Sequence, residues 1–193
     1  MCRKSLKPSG SNGTDFHKKI IGNTIIISAS YSANIESYKS ASQAVSFWNN
    51  RQNDKVVLNG KEYKIKYDLT VKLDRFGDGA KQADNVYSVV PDNNLGKNTA
   101  GKTDNKSAIS VKQSMSETNA KGENSSTGAH EIGHTLGMGH DETGIMTPSQ
   151  NDPGRSSDVT KKNLQEMVSS QVGKNSKLNL FERLFNKVYS ILN

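Results

Sequence analysis

His130, Glu131, His134 and His140 lie within eleven residues, HEIGHTLGMGH, and three of the chain's four histidines are among them. On a helix, His130 and His134 are one turn apart on the same face, so two imidazoles can meet one metal ion at about 2 Å. Glu131 is displaced round the axis by one residue. It is too far round for a natural third ligand but near enough to hydrogen-bond a water on the metal, the place of a general base. Gly137 follows the apolar Leu136, where a helix can end in a left-handed turn that glycine adopts cheaply, and the chain can then double back to deliver His140. Three neutral imidazoles leave the fourth position of a tetrahedral Zn²⁺ to water, the arrangement of a catalytic site. A structural zinc site would more often use cysteines, and Cys2 is the only one in the chain.

The eleven residues match HExxHxxGxxH at every specified position and so resemble the metzincin clan of metallopeptidases. The resemblance implies a zinc-dependent endopeptidase with His130, His134 and His140 as ligands and Glu131 activating the metal-bound water. It also implies a methionine-containing turn below the metal. Gly144-Ile145-Met146-Thr147-Pro148 stands at the expected distance, with Met146 as a structural floor rather than a ligand. Pro148 occupies the position where some clan families carry a tyrosine, a feature closer to the matrixin-like pattern. The implied fold is α+β: a mixed twisted sheet, an active-site helix and a smaller C-terminal lobe ending in helices. Outside residues 125 to 148 the resemblance is one of architecture only.

The elements that must position these residues are read from periodicity. Residues 1–20 are polar and aperiodic and read as a tail or linker, with a catalytic domain over 21–193 divided into an upper lobe of about 21–137 and a lower lobe of about 138–193. Asn23 to Ser30 reads as a buried strand. Ile35 to Asn50 carries Tyr38, Ala41, Ala44, Val45 and Trp48 at helical steps. Val56-Val57-Leu58, Asn59-Gly60 and the alternation from Tyr63 to Leu73 predict a hairpin. Asp74 to Gly79 reads as a plain turn, Val86 to Val90 as a short strand and Asp92 to Lys106 as a long polar loop. Ser107 to Gln113 is expected to be a strand lining the cleft, against which an extended substrate pairs its main chain. Ser125, Ser126 or Thr127 could cap the active-site helix. Ser157 to Val172 predicts a helix capped by Ser156, Ser157 or Asp158, and Leu178 to Leu192 a second one packing on its own domain. A specificity pocket is expected between the active-site helix and Asp141 to Asp152. Asp141 itself could hydrogen-bond a ligand imidazole or face solvent.

The chain of 193 residues has 26 basic and 19 acidic side chains, a formal charge of +7 that favours acidic partners. The lysines are scattered without a nucleic-acid-binding motif, so a protein or peptide substrate is expected, no nucleic acid, and a monomer. No apolar run is long enough for a membrane span and no signal peptide is visible. The absence of an inhibitory propeptide suggests a domain secreted or delivered out of the producing cell within a larger protein, which resembles the metallopeptidase toxin domains at the ends of bacterial polymorphic toxins. Cys2 permits no internal disulfide and reads as an exposed incidental thiol, and His17 as solvent-exposed. Two other readings are an inactive zinc-binding interaction module and a basic nucleic-acid-binding domain with an incidental motif. Proteolysis sensitive to a chelator, and a salt-dependent mobility shift, would separate them.

Overall fold

The computed structural model describes residues 16–78, 83–105, 107–116, 126–149 and 151–170. Strand β1 (His17–Ile21) turns through Gly22 into β2 (Thr24–Ala33), followed by helix α1 (Tyr38–Asn49) and the strands β3 (Lys55–Leu58), β4 (Lys61–Leu73), β5 (Asn85–Val90), β6 (Gly101–Asp104) and β7 (Ala108–Lys112). Three α-helices follow among the described residues: the single turn α2 (Gln113–Ser116), α3 (Thr127–Thr135) and α4 (Lys161–Ser169). The seven strands form one sheet in the order β3-β4-β2-β5-β7-β6, with β1 alongside the first half of β2. β2 runs parallel to β4 and β5, and β5 parallel to β7, while β1, β3 and β6 pair antiparallel with their neighbours. A mixed sheet with helices packed on it is compatible with the α+β class.

One face of the sheet is apolar. Ile25, Ile27, Ala29 and Tyr31 of β2, Ile65, Tyr67 and Leu69 of β4, Tyr87 of β5 and Ile109 and Val111 of β7 are buried at alternate positions. The period of two commits the whole set to one side, and a slip of one residue would expose all of it. The β3–β4 register is fixed by the two-residue turn at Asn59 and Gly60, both with positive φ (51° and 78°), the backbone shape that matches strand twist.

Helix α1 covers this face with Ala41, Ala44, Val45 and Trp48. Trp48 is fully buried, and its Nε1 donates to the Ala129 carbonyl of α3 at 3.0 Å. Tyr31 hydroxyl meets Thr135 Oγ1 at 2.8 Å, so the sheet also grips α3 near its other end. An alanine Cβ built at Gly128 would fall 2.3 Å from the Tyr87 hydroxyl, which shows how closely α3 approaches β5. Helix and sheet thus fix the axis on which the HExxH residues turn.

Several boundaries differ from the sequence reading. Phe16 lies in the core and His17–Ile21 pair with β2, so the sheet begins inside the segment read as a tail; the strand shows no apolar alternation because it is exposed on both faces, with Lys18 alone half-buried. His17 is exposed, as expected, with Nε2 3.4 Å from Asp84 Oδ1. The loop read over Asp92 to Lys106 contains β6, a strand too short and polar to show alternation. β7 falls where a strand is expected but lies between β5 and β6, and the edge is β6. Helix α4 is capped by Thr160, whose hydroxyl accepts from Asn163 N–H at 3.1 Å, while Ser156 Oγ accepts from Asp158 N–H instead. Asp74 Oδ1 accepts from the N–H groups of Phe76, Gly77 and Asp78, the local chemistry of a turn. Cys2 and the helix expected over Leu178 to Leu192 lie outside the described residues.

Candidate metal centre

Helix α3 presents His130 and His134 on one face, and its end is built as a complete glycine-terminated cap. Gly137 has φ +88°; its N–H donates to the His134 carbonyl and the N–H of Met138 to the Gly133 carbonyl, both at 3.0 Å. The left-handed turn sends the chain back past the helix. Helix α4 then fixes the returning segment: Glu166 Oε2 accepts from Gly139 N–H at 2.9 Å, the fully buried Asn163 donates to the Gly139 carbonyl at 3.0 Å, and Lys162 donates to the His140 carbonyl at 3.2 Å. His140 arrives beside the other two rings as a result.

The three Nε2 atoms face one point, with His134 Nε2 3.1 Å from His130 Nε2 and 3.2 Å from His140 Nε2. Nδ1 of His130 points at the Ile145 carbonyl at 2.8 Å and Nδ1 of His134 at the Met138 carbonyl at 2.9 Å. A carbonyl can only accept, so in both rings the proton belongs on Nδ1 and Nε2 carries a lone pair. Lone pairs 3.1 Å apart repel unless a cation lies between them. Tetrahedral ligands at about 2.0–2.1 Å from an ion stand about 3.3 Å apart, close to the observed separations. The donor set therefore fits a metal ion. His130 and His134 are also held neutral: burial pushes His130 down to about 3 and lowers His134, with hydrogen bonds to the Ile145 and Met138 carbonyls opposing the shift.

Glu131 is 5% exposed and its carboxylate opens onto the same cleft. Burial raises it to about 7, against the lowering effect of a 2.6 Å hydrogen bond from Thr103 Oγ1 to Oε2 and of the Arg155 charge. A carboxyl poised near neutrality suits proton transfer in both directions. Gly101 makes the contact between β6 and α3 feasible, because a Cβ there would fall 2.8 Å from Glu131 Oε1 and 2.7 Å from Thr127 Cγ2.

Met146 is fully buried against the helix, its Sδ 2.4 Å from where a Cβ on Gly133 would sit. The turn carrying it is held by Ile145 N–H to the Asp158 carbonyl at 2.7 Å and by Gly144, at φ +84°. Asp141, considered above as a partner for an imidazole, instead accepts from Thr160 Oγ1 at 2.5 Å and ties the His140 segment to the cap of α4. Ser126 stands at the N-cap of α3 without making the cap hydrogen bond; its Oγ accepts from Arg155 Nη2 at 3.1 Å and Nε at 3.3 Å.

A cleft of about 680 Å³ opens on the three imidazoles and Glu131, lined also by the segment Asn98–Thr103 and by Pro148 and Arg155. Thr103, Gly101 and Arg155 were not singled out from sequence; each is an isolated residue in a polar segment whose neighbours in space come from elsewhere in the chain. No helix among the described residues is long and apolar enough to cross a membrane. No family model, curated protein or solved structure matches the chain.

Proposed function

We propose that this chain is a zinc-dependent endopeptidase of the metzincin type, with His130, His134 and His140 as the zinc ligands and Glu131 as the general base. The observation that carries this reading is the convergence of three Nε2 lone pairs beside a buried carboxylate in an open cleft. Zinc is favoured over other ions by an all-imidazole donor set that leaves a coordination position free. When bound, it supplies acidification of water and polarisation of the scissile carbonyl.

The protein's own groups do the rest. Glu131 takes the proton of the attacking water and returns it to the leaving amine, a role for which burial has raised its affinity for protons. Thr103 holds one carboxylate oxygen and leaves Oε1 to the reaction. The Ile145 and Met138 carbonyls orient two of the imidazoles. Among the described residues β6 pairs on one side with β7 and has no strand on the other, so that edge can take an extended peptide chain by main-chain hydrogen bonds; this role passes to β6 from the neighbouring strand expected from sequence. Met146 supports the helix from below.

Glu131→Ala is expected to bind zinc stoichiometrically and to lose casein hydrolysis by at least about a hundredfold. Metal analysis and a digestion with and without chelator check both halves. Undiminished cleavage by a clean preparation of the variant would remove Glu131 from the mechanism, and a native protein that takes up no metal would remove the peptidase.

A further inference from the structure

The positive charge of Arg155 stands in the cleft wall, where Glu131 acts on it through space and no acidic side chain among the described residues lies within ion-pair distance. Its Nε and Nη2 donate to Ser126 Oγ at 3.3 and 3.1 Å, Nη2 also reaches the Ser126 carbonyl at 3.4 Å, and Nη1 donates to the Thr147 carbonyl. These acceptors are all neutral. Among the described residues Arg155 forms no ion pair, whereas Lys102, the other cationic side chain of the cleft, is paired with Asp104 at 2.7 Å. Nη1 carries two N–H groups. Only one is needed for Thr147, and the second is directed towards His130 Nδ1 at 3.0 Å, where it finds no acceptor because that nitrogen holds its own proton for the Ile145 carbonyl.

The position is as informative as the charge. Nη1 lies against Nδ1 of His130, and Nε2 across the same ring faces the metal position, so the guanidinium is one imidazole width from where the bond would be cut. A residue flanking that bond can reach it. Guanidinium prefers planar, two-oxygen anions, and a carboxylate placed in this partly buried cleft would meet a cation that no acidic side chain among the described residues contacts directly, Glu131 acting on it only from beyond ion-pair distance.

We propose that Arg155 makes this wall a carboxylate subsite, so that the preferred substrates are peptides bearing an Asp or Glu side chain, or a free C-terminal carboxylate, next to the scissile bond. The proposal rests on the peptidase reading and adds a substrate class to it. Peptide pairs matched as Glu against Gln at each flanking position, and as C-terminal acid against amide, separate the two sources of the carboxylate. One charge-assisted hydrogen bond corresponds to about tenfold or more in kcat/KM in favour of the acidic member. Arg155→Gln is expected to abolish the preference, and Arg155→Lys to keep a weakened one because the charge remains while the fork is lost. Melting curves show whether each variant is folded. Binding of the same peptide pairs to zinc-loaded Glu131→Gln, followed by fluorescence anisotropy, gives a readout independent of turnover. Equal handling of acid and amide by the native protein, or a preference that survives in folded Arg155→Gln, overturns the proposal. If the native protein cuts no peptide at all the peptidase reading falls, and the anisotropy pairs still decide whether the wall selects carboxylates.

Discussion

Replacing Gly133 by alanine adds a methyl group to α3 next to His134, on the side facing Met146. Its Cβ would lie 2.4 Å from Met146 Sδ, 3.1 Å from Cε and 3.4 Å from Trp48 Cζ2. Carbon and sulfur rest at roughly 3.5–4 Å, so Met146 or the helix must move by about 1 Å. Neither has free space, since Met146 and Trp48 are both fully buried. Alanine gains about 1 kcal/mol in helix propensity over glycine, and overpacking costs about 1–3 kcal/mol. With the cage closed on both sides the upper end applies, for a net loss of about 2 kcal/mol. In a domain of this size that lowers Tm by about 4–8 °C. The displacement would also be felt at the metal, because Ile145, next to Met146, orients the His130 ring through its carbonyl. A tenfold or greater loss of zinc affinity is the expected size of such a disturbance. Thermal unfolding of metal-free and zinc-loaded protein, with a zinc titration by competition, measures both effects. Combining Gly133→Ala with Met146→Ala should cost less than the sum of the two, because the collision is then gone. A Gly133→Ala protein that melts at or above the native temperature and binds zinc unchanged would refute the placement of Met146 under the helix.

Two further outcomes follow from the same geometry. His140→Ala is expected to lower zinc affinity by orders of magnitude while leaving the metal-free Tm within about 2 °C, since that ring is exposed and contributes little to the core; metal titration and melting curves check it. In metal-free protein, His130 and His134 have lowered pKa values, so the unfolded chain binds more protons than the fold below pH ~6.5 and stability falls as pH drops through that region. Glu131, raised to about 7, has the opposite sign: its contribution is full below the unfolded carboxylate range and is lost as pH rises through 7. Between about pH 4.5 and 6.5 the two slopes oppose each other. Glu131→Gln should therefore show a steeper loss of Tm than the native protein over that interval, and parallel curves would contradict the burial of Glu131 as a titrating group.

The sequence was informative where the physics is local. The HExxH spacing requires only a helix to bring two imidazoles to one face, and the left-handed Gly137 needs only its own backbone, so both could be read from neighbours in the chain. The same holds for the Asn59-Gly60 turn and for the apolar stripe of α1. Met146 could be placed by its distance from the motif. Thr103 could not be found this way: its hydroxyl reaches Glu131 across 28 positions, and nothing about a threonine in a lysine-rich loop announces it. For Asp141, adjacent to His140, the sequence leaves an imidazole or solvent open as its partner, and only the fold supplies the cap of α4.

By itself, then, the order of residues determined which side chains could hold a metal, which one could serve as its base, and which segments have a face to bury, because those depend on helical and strand periods and on the chemistry of single side chains. The tertiary structure decided that β6 forms the cleft edge, that His140 is steered into place by Glu166, Asn163 and Lys162, and that Arg155 stands beside His130. Those are meetings between residues far apart in the chain, set by how the sheet and helices bury one shared apolar face, and no periodicity encodes them.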